Sequence, residues 1–545
     1  MSKVAQYLNE HLQGEITTSD AVRERFSTDG SILRIVPDLV VHPRSTNDIR
    51  KVARFAWQLA DKGHKLSLTA RGAGSDQTGA AIGSGVIINM LAHMNAIFEI
   101  DAKQKLVRLQ PGVPFKTLND FLYLQGLTIP SYPASSGYST VGGAIANNAS
   151  GVLSFKYGPI GEWVSQLEVV LSNGDVIQTG RISKRELNKK KGQQDFEGEI
   201  YRGIDTLLND NVELLDTIAA GVPDNAGYNI VDVWRRDGSI DLTPLFVGSQ
   251  GTLGVISEII MKAAVVTKDP LIGAVTFASH DALRDGMDQL RELRPTLLEL
   301  IDGRLFEAAT KKGKRYPLYD EARGQGDVAG IVLFEFDDKS GRVKKNAAKK
   351  IAKLFEKSDD TVWVIEREGP RADELRALRE VTVLSMTEEK GGESAPPLLD
   401  GTYIPPERFE DFAKAVTELE KKYHVVMALY GHAGTNVYYC RPVFDLKKAA
   451  DRQKIFKVLN EWSVVVAAHG GHLIAEAGEG RLKAPFAYKQ LDADVVKLIE
   501  DIRAIFDPVG ILNTGVKQQQ DLKQLVSSVR SDYDGGDFSE FAASN

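Results

Sequence analysis

Leu66-Ser67-Leu68-Thr69 reads as a strand, and it leads almost directly into Arg71-Gly72-Ala73-Gly74-Ser75-Asp76. Upstream lie Leu39-Val40-Val41, a short strand, and Ser45-Thr46-Asn47-Asp48, which offers a helix N-cap. Ile49, Val52, Ala53, Ala56 and Leu59 then recur at helical spacing until Gly63 supplies a stop. The result is a strand–helix–strand unit, about the length of a βαβ module, that ends on a glycine loop. Small residues there let backbone N–H groups approach an anion, because successive amides form a concave nest.

Three more small-residue stretches follow: Pro133-Ala134-Ser135-Ser136-Gly137, Gly142-Gly143-Ala144-Ile145-Ala146-Asn147-Asn148-Ala149-Ser150-Gly151 and Gly248-Ser249-Gln250-Gly251-Thr252-Leu253-Gly254. Singly, each is better explained as a tight turn. Four together, each beside a strand, suit an extended ligand with a pyrophosphate and two ring systems. Neither standard nucleotide motif fits. Gln77 stands where the third Rossmann glycine would fall after Gly72 and Gly74, and no Gly-Lys-Ser/Thr occurs.

Around these loops the pattern predicts strands over 85–90, 96–101 and 105–110 and a helix over 115–124. Two strands, 167–171 and 175–179, flank Ser172-Asn173-Gly174, a hairpin signal. The basic run 184–191 reads as a solvated loop, and 246–256 as a glycine-punctuated strand. Near Val265 helical stretches such as 282–293 begin to alternate with strands such as 330–336 and 362–366, marking a second α+β domain. Residues 389–397, with two glycines and two prolines, suggest a mobile loop. A helix over 494–506 precedes Asp507-Pro508-Val509-Gly510-Ile511-Leu512-Asn513.

The chain has 545 residues, too many for one hydrophobic core, and its net charge of −7 argues against a nucleic-acid partner. Its single cysteine, Cys440, rules out a disulfide framework, a cysteine zinc cluster and a cysteine-ligated iron–sulfur centre within the chain. No run approaches the length of a transmembrane helix and residues 1–16 lack a signal peptide's apolar stretch, so a cytoplasmic location, at most peripheral to a membrane, is expected.

Order and spacing carry more than any single loop. Val40-Val41-His42-Pro43, Arg71 to Ser75, Ala134-Ser135-Ser136-Gly137, Val141-Gly142-Gly143, Asn147 to Gly151, Lys156-Tyr157-Gly158 and Val247 to Ile256 together closely resemble the FAD-binding domain of the vanillyl-alcohol oxidase / p-cresol methylhydroxylase flavoproteins. The likeness continues through Gly470-Gly471, Gly478-Glu479-Gly480-Arg481-Leu482-Lys483 and Phe506-Asp507-Pro508 to Asn513, over roughly residues 20 to 517. It is similar to the branch of D-lactate dehydrogenase, glycolate oxidase and D-2-hydroxyglutarate dehydrogenase. The resemblance implies an α+β, PCMH-type chain. Its parts would be an N-terminal helical segment (1–36), a two-subdomain FAD domain (37–265) and an α+β substrate or cap domain (266–470). A segment returning to the flavin site (471–517) and a polar, flexible tail (518–545) would follow.

By resemblance, the backbone over 72–75 and from Ser136 through Val141 to Gly143 would hold the pyrophosphate, and Asn147, Ala149, Ser150, Gly151, Gly254 and Ile256 would line the ring systems. Pro43, Arg71, Ser135, Gly137 and Asn513 belong to the same implied set. The loop over 71–79 holds no His, Cys or Tyr, so noncovalent FAD is expected. The branch oxidises a D-2-hydroxy acid by hydride transfer to flavin N5, with a divalent metal acidifying the hydroxyl and an arginine clamping the carboxylate. Arg379 matches that arginine, with Arg376 one turn earlier as a second candidate; an exposed helix arginine explains either equally well.

His432 and Glu476 match two metal ligands, but Tyr438 (or Tyr439, depending on where a one-residue gap falls) replaces the second histidine. Ala477 stands where the catalytic histidine would be. One histidine and one glutamate make a degenerate metal site. His472 and Tyr438 are the substitute candidates for the base; on an extended strand, His472 would share a side with Glu476 and oppose Ala477. The expected activity is oxidation of a small hydroxy acid, with electrons leaving to a quinone, cytochrome, oxygen or partner protein. The alternative is metal-free oxidation of another alcohol or sugar, or an FAD protein that has lost dehydrogenase activity.

Overall fold

The structure, a computed structural model, describes residues 3–221, 224–235, 237–267, 269–338, 340–356, 361–384 and 393–533. The chain divides into two compact units. The first comprises Met1–Ala149, Pro159–Ala264 and Ile474–Arg530; the second comprises Ser150–Gly158, Val265–Leu473 and Ser531–Asn545.

The strand–helix–strand unit forms as its residues demand. Ser45 caps the helix Thr46–Ala60 by accepting from the Asp48 N–H, and Gly63, at φ +83°, ends it. Leu39–His42 and Leu68–Arg71 both pair in parallel with Val86–Asn89. Glu15–Thr17 adds an antiparallel edge, so the first 36 residues contribute a strand to this sheet as well as two helices. The apolar face of the Thr46–Ala60 helix (Ile49, Val52, Ala53, Ala56) packs with Leu39, Val41, Val86 and Ile88 in one core. A second, antiparallel sheet of five strands runs Ile97–Asp101, Leu106–Leu109, Val255–Lys262, Val164–Val170, Val176–Gln178. Its last pair is the hairpin turned by Gly174 at φ +85°.

The C-terminal segment returns to this unit: Leu68 N–H donates to the Ile511 carbonyl at 2.7 Å, and Leu68 bridges Leu512 in parallel. The second unit is built on a seven-stranded antiparallel sheet, ordered Trp363–Glu366, Leu271–Phe277, Gly330–Phe336, Leu297–Asp302, Leu429–His432, Val437–Cys440, Thr402–Tyr403. Ile272, Ala274, Ile301, Ile331 and Leu333 from one face of this sheet pack against Leu305, Leu318, Leu375 and Leu378.

Four expectations are corrected. The basic run 184–191 is the helix Lys184–Lys191, started by a Ser183/Glu186 capping box and buried at Leu187, with Lys190 and Lys191 paired to Glu197 and Asp205. Residues 246–254 are not strand: Thr243–Phe246 is helical, a loop follows, and the strand starts at Val255. Residues 473–480 are not extended, because Ala477, Gly478 and Gly480 take φ of +65°, +72° and +54°; strand parity therefore says nothing about His472 and Ala477. The tail is packed as far as Arg530, with the helix Leu522–Ser527 burying Leu525 and Val529 bridging Leu33. Residues 534–545 lie outside the described residues. So do 389–392 of the suggested mobile loop, whose Ser394 forms a bridge to Phe444.

Candidate functional site

The strand Leu68–Arg71 opens into residues 72–76 on one wall of a solvent-open cleft of about 770 Å³ in the first unit. Arg71, Gly72, Ala73, Gly74, Ser75, Gly142, Gly143, Asn147, Gly254 and Ile256 all line it, as do Gln250 and Asp76. The close fit dictates glycine. A Cβ on Gly72 would stand 2.0 Å from Thr140 Oγ1, and Gly74 sits at φ +77°. Among the described residues no backbone N–H from Gly72 to Asp76 has a hydrogen-bond acceptor, so the loop presents a run of free donors at the cleft. That is the cradle an anionic pyrophosphate requires. Among the described residues that line the cleft, none is His, Cys or Tyr.

Beneath the loop lies a buried charge cluster. Asp29 accepts from Ser31 N–H and Oγ and from Ala81 N–H, and burial, reinforced by the Asp76 charge, raises it to about 6. Arg71 donates to the Thr28 and Ala81 carbonyls, and burial lowers it. Burial likewise brings Arg481 down to about 10 while its guanidinium holds the Ile82 and Thr514 carbonyls. None of this is visible in the linear sequence, since Asp29 and Arg481 lie far apart along it.

Other residues of the implied set are not cleft-lining. Pro43 and Val141 are buried, residues 135–137 form a turn, and Ala149 is held by the Ala144 carbonyl. Ser150 and Gly151 fall in the second unit, where Gly151 N–H donates to Ser154 Oγ. Asn513 acts from behind the wall: its Nδ2 donates to the Ala80 and Gln250 carbonyls at 2.8 and 2.7 Å. Glu476 is buried in the first unit.

In the second unit, His432 and Glu299 form a buried pair with Nδ1 and Oε1 2.5 Å apart. The ladder sets the faces. Tyr430 pairs with Tyr439 and Gly431 with Tyr438, so Tyr439 shares the face of His432 while Tyr438 takes the other. The Tyr439 ring stands edge-on to His432 at 5.3 Å. Tyr438 is fully buried against Phe409, and its hydroxyl has no partner among the described residues. Burial pushes its phenol above the ordinary range. The register thus turns Tyr438 away from His432, and the alternative placement of the gap brings Tyr439 to it instead.

His472 is bridged to Tyr403, with the rings 6.0 Å apart. Arg379 is half-buried, and its guanidinium makes no hydrogen bond or ion pair among the described residues; Arg376 is exposed and bound to Asp373 at 2.8 Å. Burial, then the Asp337 charge, raises nearby Glu335 to about 7, while both arginines pull it down. Despite burial, Asp337 is lowered by hydrogen bonds from Lys156, Tyr157 and Thr296. Among the described residues no three His, Cys, Asp or Glu side chains are grouped to hold a metal ion, so the donor set does not fit the implied metal. No described helix is long and apolar enough to cross a membrane.

Comparison with known proteins agrees with this geometry. The model of the FAD binding domain family matches residues 37–180, and that of the C-terminal domain of FAD linked oxidases matches 271–516. The D-2-hydroxyglutarate dehydrogenase of Pantoea ananatis is 27% identical over 541 residues, 96% of this chain and 52% of that protein. The glycolate oxidase subunit GlcD of Bacillus subtilis is 25% identical over 498 residues, 91% of this chain and 92% of that protein. The chain spans about half the length of the D-2-hydroxyglutarate dehydrogenases it matches. A solved structure of p-cresol methylhydroxylase with substrate bound shares the fold, with a TM-score of 0.71 at 14% identity over 96% of this chain and 97% of that one. The donor-lined cleft of the first unit thus belongs to a chain that matches, in order, an FAD binding domain and the C-terminal domain of FAD linked oxidases, and that shares the fold of p-cresol methylhydroxylase.

Proposed function

We propose that this protein is an FAD-dependent oxidoreductase that oxidises a small D-2-hydroxy acid of the lactate, glycolate or 2-hydroxyglutarate kind. The observation that carries the reading is the run of N–H donors from Gly72 to Asp76 at the cleft, none of which has an acceptor among the described residues. Bound there, FAD would supply the hydride acceptor. The residues of the chain supply placement. Arg379, half-buried and without an acceptor among the described residues, suits a bidentate grip on a carboxylate better than Arg376, which Asp373 already engages. His472 remains a proposed base, and His432, paired with Glu299 and with Tyr439 beside it, offers another imidazole. Electrons would leave to a quinone, a cytochrome, oxygen or a partner protein, and a cytoplasmic location is proposed.

A second reading has its own observation: Ala477 cannot take a proton, and no metal-holding group is found among the described residues. On that reading the substrate is another alcohol or a sugar oxidised without metal, or dehydrogenase activity has been lost. Anaerobic titration of the holoprotein decides between them. Bleaching of the flavin absorbance by D-lactate, glycolate or D-2-hydroxyglutarate is the expected result. An unchanged oxidised spectrum, with and without added zinc or manganese, rejects the hydroxy-acid reading.

A further inference from the structure

Gln250 is a buried, non-glycine residue held at φ +53°, and it lines the cleft. Its Nε2 lies 3.0 Å from the Ala477 carbonyl, 3.1 Å from Asn147 Oδ1 and 3.2 Å from Thr78 Oγ1. Its Oε1 accepts from the Gly480 N–H at 3.0 Å. Ala477 and Gly480 are three residues apart, the spacing at which a carbonyl and an N–H normally close a β-turn on each other. Here the Gln250 carboxamide stands between them and satisfies both.

We propose that Gln250 is a positioning residue of the flavin cleft: its carboxamide locks the 477–480 turn to Asn147, and through Asn147 to the donor loop. The constraint passes onward because Asn147 Nδ2 donates to Asp76 Oδ1 at 2.9 Å, while Asp76 Oδ2 accepts from the N–H groups of Thr78 and Ala80. The backbone of Gln250 is fixed too, its N–H donating to the Ala146 carbonyl and its carbonyl accepting from Asn513 Nδ2. Asp76, Ala80, Ala146, Asn147 and Gln250 all line the cleft, so reorienting this one amide reshapes the surface that meets the cofactor.

The chemistry selects a carboxamide. The turn presents an acceptor and a donor at once, and Asn147 Oδ1 adds another acceptor. A carboxamide has two N–H donors beside its oxygen, whereas a carboxylate has none and would set its charge against two oxygens. Gly478 packs against the same group, since a Cβ there would come within 2.8 Å of Gln250 Cδ.

This proposal rests on FAD being the cofactor, and the test separates the two. Wild type, Gln250→Glu and Gln250→Leu are prepared as apoproteins, checked for unaltered far-UV circular dichroism, and titrated with FAD from pH 5 to pH 9. Each variant is compared with wild type at the same pH. Gln250→Leu is expected to bind FAD about tenfold to a hundredfold more weakly at every pH. Gln250→Glu is expected to show that loss at high pH and to recover as pH falls, because the protonated acid regains one donor. Its flavin absorption bands should shift over the same range. Variants whose affinity and spectra overlay those of wild type throughout overturn the proposal, as does a loss in Gln250→Glu with no recovery at low pH. If Gln250→Leu does not fold, the pH response of Gln250→Glu alone decides. A wild type that takes up no FAD overturns the cofactor assignment itself, which the variants' behaviour cannot mimic.

Discussion

Residues 438 and 439 differ by one position and fall on opposite faces of the same sheet, because strand side chains alternate. The sequence left the gap between them open, and only the ladder register resolves it. The same limit hides Asp29, whose character comes from neighbours distant along the chain. Its raised value has a definite consequence. The unfolded carboxyl titrates near ~3.9 and the folded one at about 6, so the folded state holds the extra proton between those values. The contribution of this group to stability is fully present below the unfolded value and is lost as pH rises through the folded one. Burial is the main cause, with Asp76 adding repulsion, while Arg71 and the Ser31 donors oppose the shift. Asp29→Asn should remove the pH slope while imposing a constant cost, since one of its oxygens accepts from the Ala81 N–H. Between pH 5 and 7.5, wild type should lose roughly 1–2 kcal/mol relative to Asp29→Asn in urea unfolding; parallel pH profiles would contradict the assignment.

Helices and strands with strong periodicity were legible without the structure: the Thr46–Ala60 helix, its Ser45 cap, the Phe115–Leu124 helix and the Gly330–Phe336 strand coincide with the pattern. The Lys184–Lys191 helix was not, because five basic residues in eight positions mask its one buried apolar residue, Leu187. A usable signal was present. Ser183-x-x-Glu186 is a capping box, and both of its reciprocal hydrogen bonds form. Helix propensity from lysine and the ion pairs to Glu197 and Asp205 do the rest. At this scale the cap is the vulnerable part. Ser183→Ala removes an acceptor from an otherwise orphan N–H and should cost about 1 kcal/mol. Amide hydrogen exchange should show that loss concentrated in residues 184–191, with the neighbouring Phe196–Asp210 helix little changed; a uniform change would point away from capping.

On the scale of the molecule, the chain leaves its first unit at Ala264 and re-enters it at Ile474, so some 210 residues intervene before it returns to the unit that holds the cleft. That return followed from the family resemblance and not from any local pattern, because 471–517 carries loop and helix signals that fit many folds. The polar tail beyond 517 misled for a related reason: composition does not reveal that Val529 pairs with Leu33. What fastens the returning segment is visible only in three dimensions. The Lys517 side chain, fully buried, donates to Glu479 Oε2 and to the Gly227 carbonyl, both at 2.7 Å. Glu479 Oε1 accepts from the Gly227 N–H and the Tyr488 hydroxyl. Two buried charges contribute little net stability as a pair, but removing one strands the other in a low-dielectric interior. Lys517→Met should therefore cost about 3–5 kcal/mol, while Lys517→Met combined with Glu479→Gln should recover much of that loss. Denaturant unfolding of the two variants measures the difference. Equal destabilisation would mean that the lysine acts through its backbone-carbonyl contact and its packing over Tyr228, and that charge pairing is not what holds the returning segment in place.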